Sequence, residues 1–169
     1  MTRQATFWFR AACAGLALLL ASCGGEPPRR PNVMHPVHER RAVEIVGRTF
    51  RDQSLDPAPP QTIKVADGKP LRVDVVASGH KYGVAYLTRD DEAALGQAVP
   101  KFDPDSDALI IVDGSGTDEG WHVVVLYDRA YLSDDLEGES HGATSIAAEG
   151  KIARDARDFL VKAQHEGWP

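Results

Sequence analysis

The sequence predicts an α+β fold: a mainly antiparallel β-sheet of about five or six strands, a short helix, and a C-terminal helix packed on the sheet. Three observations carry this. Leu71, Val73 and Val75 alternate with Arg72 and Asp74, the period-two pattern of a strand with one wet face. Residues 108–112 and 121–127 are apolar on both faces apart from His122, which predicts two strands in the centre of the sheet. Ile152, Ala156, Phe159, Leu160 and Ala163 fall on one stripe of a helix, opposite Lys151, Arg154, Asp155, Asp158 and Lys162.

The remaining elements follow in order. Val43 and Ile45, separated by Glu44, predict a first strand over residues 42–50. Strands over 61–66 and 71–77 flank Asp67-Gly68, a pair that tolerates positive φ and predicts a tight hairpin, with Pro70 beside the turn or on an edge. A turn over 78–82 leads into a strand over 82–87 that places Tyr82, Val84 and Tyr86 on one side. Thr88-Arg89-Asp90-Asp91 has the form of a capping box, with Asp where Glu is commoner, and opens a short helix that Gly96 weakens and Pro100 ends. The loop over 113–120 is too long for a tight hairpin and reads as flexible.

The N-terminal quarter has a different grammar. Arg3 and Arg10 precede an apolar run over 11–21 that is far short of the ~20 residues a spanning helix needs, and Gly24, Gly25 and Pro27 follow it. The run closes on Leu20-Ala21-Ser22-Cys23, an aliphatic residue, two small ones and a cysteine. This motif resembles the lipobox of bacterial lipoprotein precursors. The resemblance implies export, attachment of a diacylglycerol to the Cys23 thiol, cleavage between Ser22 and Cys23, and acylation of the new amino terminus. An ordinary secretory signal that leaves Cys23 as a free thiol is the alternative. Lipidation makes the bilayer itself a partner, since several acyl chains at about 0.8 kcal/mol per buried methylene give a stable anchor. It also implies a cell-envelope address, on the outer membrane facing the periplasm, because Gly24 is not the Asp that in some bacteria holds lipoproteins at the inner membrane.

This divides the chain into a signal peptide over 1–22, a lipidated cysteine with a Pro/Arg-rich tether over 23–41, and one α+β domain over 42–169. The tether carries Pro27, Pro28, Pro31 and Pro36 and few apolar side chains, so it cannot bury a core, and His35 and His38 read as solvated. The only cysteines are Cys13 and Cys23. Cleavage therefore leaves a domain without thiols, which suits an oxidising compartment and excludes disulfides, cysteine zinc sites and cysteine nucleophiles. Loss of Arg3 and Arg10 turns 19 basic and 25 acidic residues into 17 and 25, a formal charge of −8. Six arginines lie between Gly24 and Arg51, so the membrane-proximal part is basic and the body acidic. An acidic body argues against nucleic acid as a partner.

Motifs that carry chemistry are sparse. Asp103, Asp105 and Asp107 have the spacing that opens a calcium loop, but Ala108 and Gly114 stand where that loop needs its glycine and its bidentate Glu, so they read as an acidic turn. Asp113-Gly114-Ser115-Gly116 lacks the first glycine of a nucleophile elbow and is followed by a strand. As a phosphate cradle it is opposed by Asp113, Asp118 and Glu119. His80, His122 and His141, with Ser140 and Asp113 or Asp128, supply the residue types of a hydrolytic triad; the plainer reading makes His122 a strand residue and the other two turn residues. Asp134, Asp135, Glu137 and Glu139 form an acidic stretch that reads as a solvated face able to receive a basic partner. Residues 102–109 with Gly116-Thr117-Asp118 and Arg129-Ala130 are faintly similar to the peptidoglycan-binding domain of the outer-membrane-protein-A type. Strand-like patterns fall where that family has helices, so no binding residue is carried over. No catalytic residue, metal ligand or cofactor is assigned. The reading is an envelope lipoprotein with a binding or assembly role; a small periplasmic hydrolase using one histidine and an immunity or inhibitor lipoprotein are the alternatives.

Overall fold

The computed structural model describes residues 33–134 and 144–169, all within one compact unit, Pro31–Pro169. In chain order these residues form β1 (His35–Pro36), α1 (Glu39–Asp52), β2 (Pro57–Ala58), β3 (Gln61–Lys64), β4 (Pro70–Val73), β5 (Val75–Ala77) and β6 (Tyr82–Leu87). They continue with α2 (Arg89–Leu95), β7 (Ile110–Asp113), β8 (His122–Tyr127), β9 (Leu132–Ser133) and α3 (Ser145–Glu166). The α+β class stands. Lipobox residues Leu20 to Cys23 lie outside the described residues, as do Asp135, Glu137, Glu139, Ser140 and His141.

A five-stranded sheet with order β2-β5-β6-β8-β7 divides the unit into three layers. Every pair in it is antiparallel except β6 with β8, which run parallel from Tyr82↔His122 to Leu87↔Tyr127. The helical α2 and the long connection after it return the chain to the start of β7, which then hairpins back into β8. Two small antiparallel pairs, β1-β9 and β3-β4, complete the topology.

One face of the sheet is covered by α1 and α3. Val75, Ala77, Tyr82, Val84, Tyr86, Val124 and Leu126 point into this layer and meet Phe50, Ile152, Phe159 and Leu160. The predicted stripe of α3 is fully buried: Ile152, Ala156, Phe159, Leu160 and Ala163 are all at 0% exposure. Thr144 caps α3 by accepting from the Ala147 amide, and Gly167 ends it with φ 65°, a value L side chains rarely adopt. Arg41 of α1 grips Glu149 of α3 with two hydrogen bonds of 2.8 and 2.7 Å, which holds the Glu149 carboxyl below its ordinary value of 4.5.

The opposite face is covered by the β3-β4 hairpin and by α2 with the turn after it. Ile63, Val65, Leu71 and Val73 from the hairpin pack with Leu95, Val99, Val76, Ala85, Leu87, Val123 and Val125. The Asp67-Gly68 hairpin is present, and both residues have positive φ, 57° and 68°. The capping box of α2 is complete, with Thr88 and Asp91 each accepting from the other's amide.

Three sequence expectations are corrected. Residues 42–50 are not a strand but the body of α1. Its buried positions, Ala42, Ile45, Val46, Thr49 and Phe50, recur at the 3–4 spacing of a helix. Val43 and Ile45 mimic strand alternation only over a window too short to separate the periods. Residues 35–41 are not solvated tether: β1 pairs with β9, Val37 is buried, and α1 begins at Glu39 with His38 as its cap. The chain enters the fold here because Val37 donates to the Tyr131 carbonyl at 3.0 Å and accepts from the buried Tyr86 hydroxyl at 2.7 Å. Finally, β7 is an edge strand rather than a central one, with Ile110 and Ile111 only half-buried. Its apolar run reflects contact with both layers from the rim.

Phe159 lies at the centre of the α3 face, edge-on to Tyr82 with ring centroids 6.2 Å apart. Replacing it by Ala leaves a cavity that surrounding side chains refill only in part, so Phe159→Ala is expected to cost about 3–5 kcal/mol. Chemical denaturation of the variant checks this, and an unchanged midpoint would refute the packing.

Candidate functional site

A cleft of about 320 Å³ lies between the β3-β4 hairpin, the end of β6, α2 and the first turn of α1. Leu71, Leu87 and Leu95 line it with apolar surface, and Glu39, Arg72 and Asp74 supply its polar wall. Asp74 organises the site. It stands between β4 and β5, where the chain leaves one sheet for another. Leu71 and Val73 face the hairpin layer, but the next residue to do so is Val76, not Val75. Asp74 is thus one residue beyond the strand alternation, as in a bulge.

That extra residue replaces a missing ladder bond. The Asp74 amide donates to the Val84 carbonyl at 2.9 Å, while its Oδ2 accepts from the Tyr86 amide at 2.9 Å. β4 has turned away to pair with β3, so the carboxylate takes the place of a backbone carbonyl in satisfying a buried N–H. Close approach of the strands here requires Gly83, because a Cβ would sit 2.5 Å from the Val75 carbonyl oxygen and 2.6 Å from Val73 Cγ1.

The other Asp74 oxygen, Oδ1, is buried without a hydrogen bond. Its nearest cation is Arg72, whose Nε is 3.3 Å away and whose other end donates to Glu39 at 3.1 Å. Asp74 is 5% exposed and Arg72 61%, so the acid is fixed and the base is free to leave. Burial pushes the Asp74 carboxyl above its ordinary value of 3.8, against the opposing pull of the Tyr86 amide and Arg72.

Among the described residues that the sequence picked out for catalysis, the structure brings two together; Ser140 and His141 lie outside them. Asp113 and His122 are cross-strand partners in β7 and β8, with His122 Nδ1 2.8 Å from Asp113 Oδ1. The imidazole is stacked on Trp168 with centroids 4.1 Å apart, and Asp113 is largely exposed. Asp128 lies just past the opposite end of β8, roughly 20 Å away along the strand. His80 sits in the turn after β5 with its ring against Tyr82. Ser115 is not a nucleophile beside His122, because its hydroxyl donates to the Val65 carbonyl.

The loop over 113–120 is a clasp, contrary to the flexible reading. Ser115 donates its amide to the Lys64 carbonyl at 2.7 Å, and Asp118 accepts from the Lys64 amide at 2.8 Å, fastening the β3-β4 hairpin to the rim of the main sheet. Gly114 is needed for closeness: a Cβ there would lie 2.0 Å from the Asp118 carbonyl oxygen. Asp103 turns its carboxylate on its own chain and accepts from the Asp105 amide at 3.0 Å. Asp134 is buried at 9% exposure, not presented on a solvated face.

The cleft residues Glu39, Arg72 and Asp74 were missed by sequence reasoning. The available signal was the doublet Val75-Val76 straight after an alternating run, a phase slip that implies an inserted residue. No family model, curated protein or solved structure matches the chain, so this site is interpreted on its chemistry alone.

Removing the Asp74 carboxylate strands a buried amide. Asp74→Ala is expected to cost about 1–3 kcal/mol, and Asp74→Asn, which keeps an acceptor, distinctly less. The pH dependence has a definite sign. A carboxyl whose pKa is raised by folding binds its proton more tightly in the native state, so its contribution is fully present below the unfolded value near 3.8 and is lost as pH rises through the folded value. The stability advantage of wild type over Asp74→Asn is therefore larger at pH 4 than at pH 7; denaturant titrations at the two pH values measure it, and the reverse order would contradict the assignment.

Proposed function

We propose that this chain is a lipid-anchored protein of the bacterial cell envelope, acylated at Cys23 and held at the outer membrane facing the periplasm, whose domain works by binding or assembly. The anchor rests on Leu20-Ala21-Ser22-Cys23 and the short apolar run before it. The binding role rests on the cleft, where apolar lining stands beside a buried carboxylate oxygen that lacks a hydrogen bond, in a volume at the small end of the ~300–1,000 Å³ range of ligand sites. An acidic body directs the protein toward a basic or neutral envelope partner rather than nucleic acid. An immunity or inhibitor lipoprotein acting on a basic enzyme is a special case of this role.

A periplasmic hydrolase is the second reading, and the 2.8 Å contact of His122 with Asp113 favours it. The two readings make opposite demands on the same variants. In cells labelled with radioactive palmitate, wild type is expected to take up label and Cys23→Ser none. A photo-crosslinking residue at Ala94, on the rim of the cleft, is expected to capture an envelope partner from the anchored protein equally well with and without His122→Ala. Equal labelling of Cys23→Ser would overturn the anchor. Loss of the cellular phenotype in a folded His122→Ala protein, with capture unaffected, would establish the hydrolase instead.

A further inference from the structure

The cleft carries information about what it binds, because part of it is already occupied from within. Arg72 spans two acids from different elements, Glu39 on α1 and Asp74 between β4 and β5, and shares the cleft lining with Leu71, Leu87 and Leu95. Asp91 adds a third carboxylate to the lining, against Lys69, which reaches the Ala94 carbonyl at 3.5 Å. The wall thus presents three acids to two bases. We propose that this cleft takes a cationic group on a short aliphatic stem, a guanidinium or ammonium such as ends an arginine or lysine side chain, and that Arg72 is the resident competitor which such a ligand displaces. The inference rests on the binding role proposed above and specifies its chemistry.

The opposite polarity fails on an asymmetry of burial. A carboxylate or phosphate would have to draw Arg72 away from Asp74, leaving a buried acid with no cation, which is costly. An incoming cation instead keeps Asp74 paired, and the displaced Arg72, already 61% exposed, moves into water at little cost. The same ligand cation would reach Asp74 Oδ1, a buried oxygen that has no hydrogen bond of its own. Its short stem would lie along the small apolar surface that the largely buried Leu71, Leu87 and Leu95 leave open to the cleft.

The test is a titration of the full chain in detergent micelles, followed by amide NMR. The probes are n-butylguanidinium, a capped arginine residue, and pentanoate as the matched anion. The Tyr86 amide is the reporter, since it donates directly to Asp74. Saturable shifts at Tyr86, Leu87 and Leu95 are expected with both guanidinium probes and not with pentanoate. A stronger response to the capped arginine points to a polypeptide source, and an equal response to a free cation. Arg72→Ala should tighten n-butylguanidinium several-fold by removing the competitor, and Asp74→Asn should weaken it roughly tenfold. If Asp74→Asn fails to fold, Glu39→Gln serves, with a smaller weakening expected. Saturation by pentanoate, absence of shifts with both guanidinium probes, or weaker binding by Arg72→Ala would overturn the inference. Capture of a partner at the rim in a protein that ignores both guanidinium probes would overturn the ligand class and leave the binding role standing. Probe saturation without any partner would do the converse.

Discussion

Tyr86 needs a partner for its buried amide, and the rest of the structure on the cleft side depends on how that need is met. A continuous strand over residues 70–77 would satisfy it with a backbone carbonyl, but it would also hold β4 in the main sheet and leave no hairpin to cover the second face. The Asp74 carboxylate solves both problems: its Oδ2 takes the amide at 2.9 Å while the chain on either side of it serves two different sheets. The price is a buried acid with one oxygen left over. That leftover oxygen, with Arg72 and Glu39 gathered around it, is the polar centre of the cleft.

The two layers flanking the sheet are fastened by different means. On the helical side, burial does most of the work, since the α3 stripe and the inward faces of β6 and β8 exclude water from a continuous apolar interior. Ion pairs such as Arg41 with Glu149 sit at its rim and align the helices rather than drive them together. On the hairpin side the apolar cluster is smaller, and polar fasteners supply the register: Ser115 and Asp118 bind Lys64, Tyr127 donates its hydroxyl to the Pro100 carbonyl, and Arg129 pairs with Glu92 while lying 4.8 Å over the Phe102 ring. Burial pushes the Tyr127 hydroxyl up to about 12, so it remains a donor throughout the physiological range.

Much of this was legible in the sequence wherever a pattern ran long enough to fix its period. The α3 stripe extends over three turns, the α2 capping box is self-contained, and Asp67-Gly68 specifies its turn locally. Legibility failed where the deciding partner lay far away in the chain. Residues 42–50 satisfy both a short alternation and a helical spacing, and only the sheet face that buries Ala42, Ile45, Val46 and Phe50 chooses between them. β7 has the composition of a central strand, but nothing local states that no strand lies beyond it. Asp74 reads as the wet face of a strand until Tyr86, twelve residues on, gives it a buried donor. His122 and Asp113 were named among candidates, yet their pairing depends on a register that only the β7-β8 hairpin supplies.

The way the chain enters the fold has a mechanical consequence. Residue 33 leads into β1, whose only ladder partner is the two-residue β9, and then into Val37, held by Tyr131 and Tyr86. Tension applied through the amino-terminal segment is therefore borne in series, first by this short clip, then by the two bonds at Val37, and only afterwards by α1 and the core behind it. Because the clip is small and its β1 half exposed, it yields before the interior does. Glu39, two residues beyond Val37, lines the cleft, so a pull that reached the first turn of α1 would take that acid from the cleft wall.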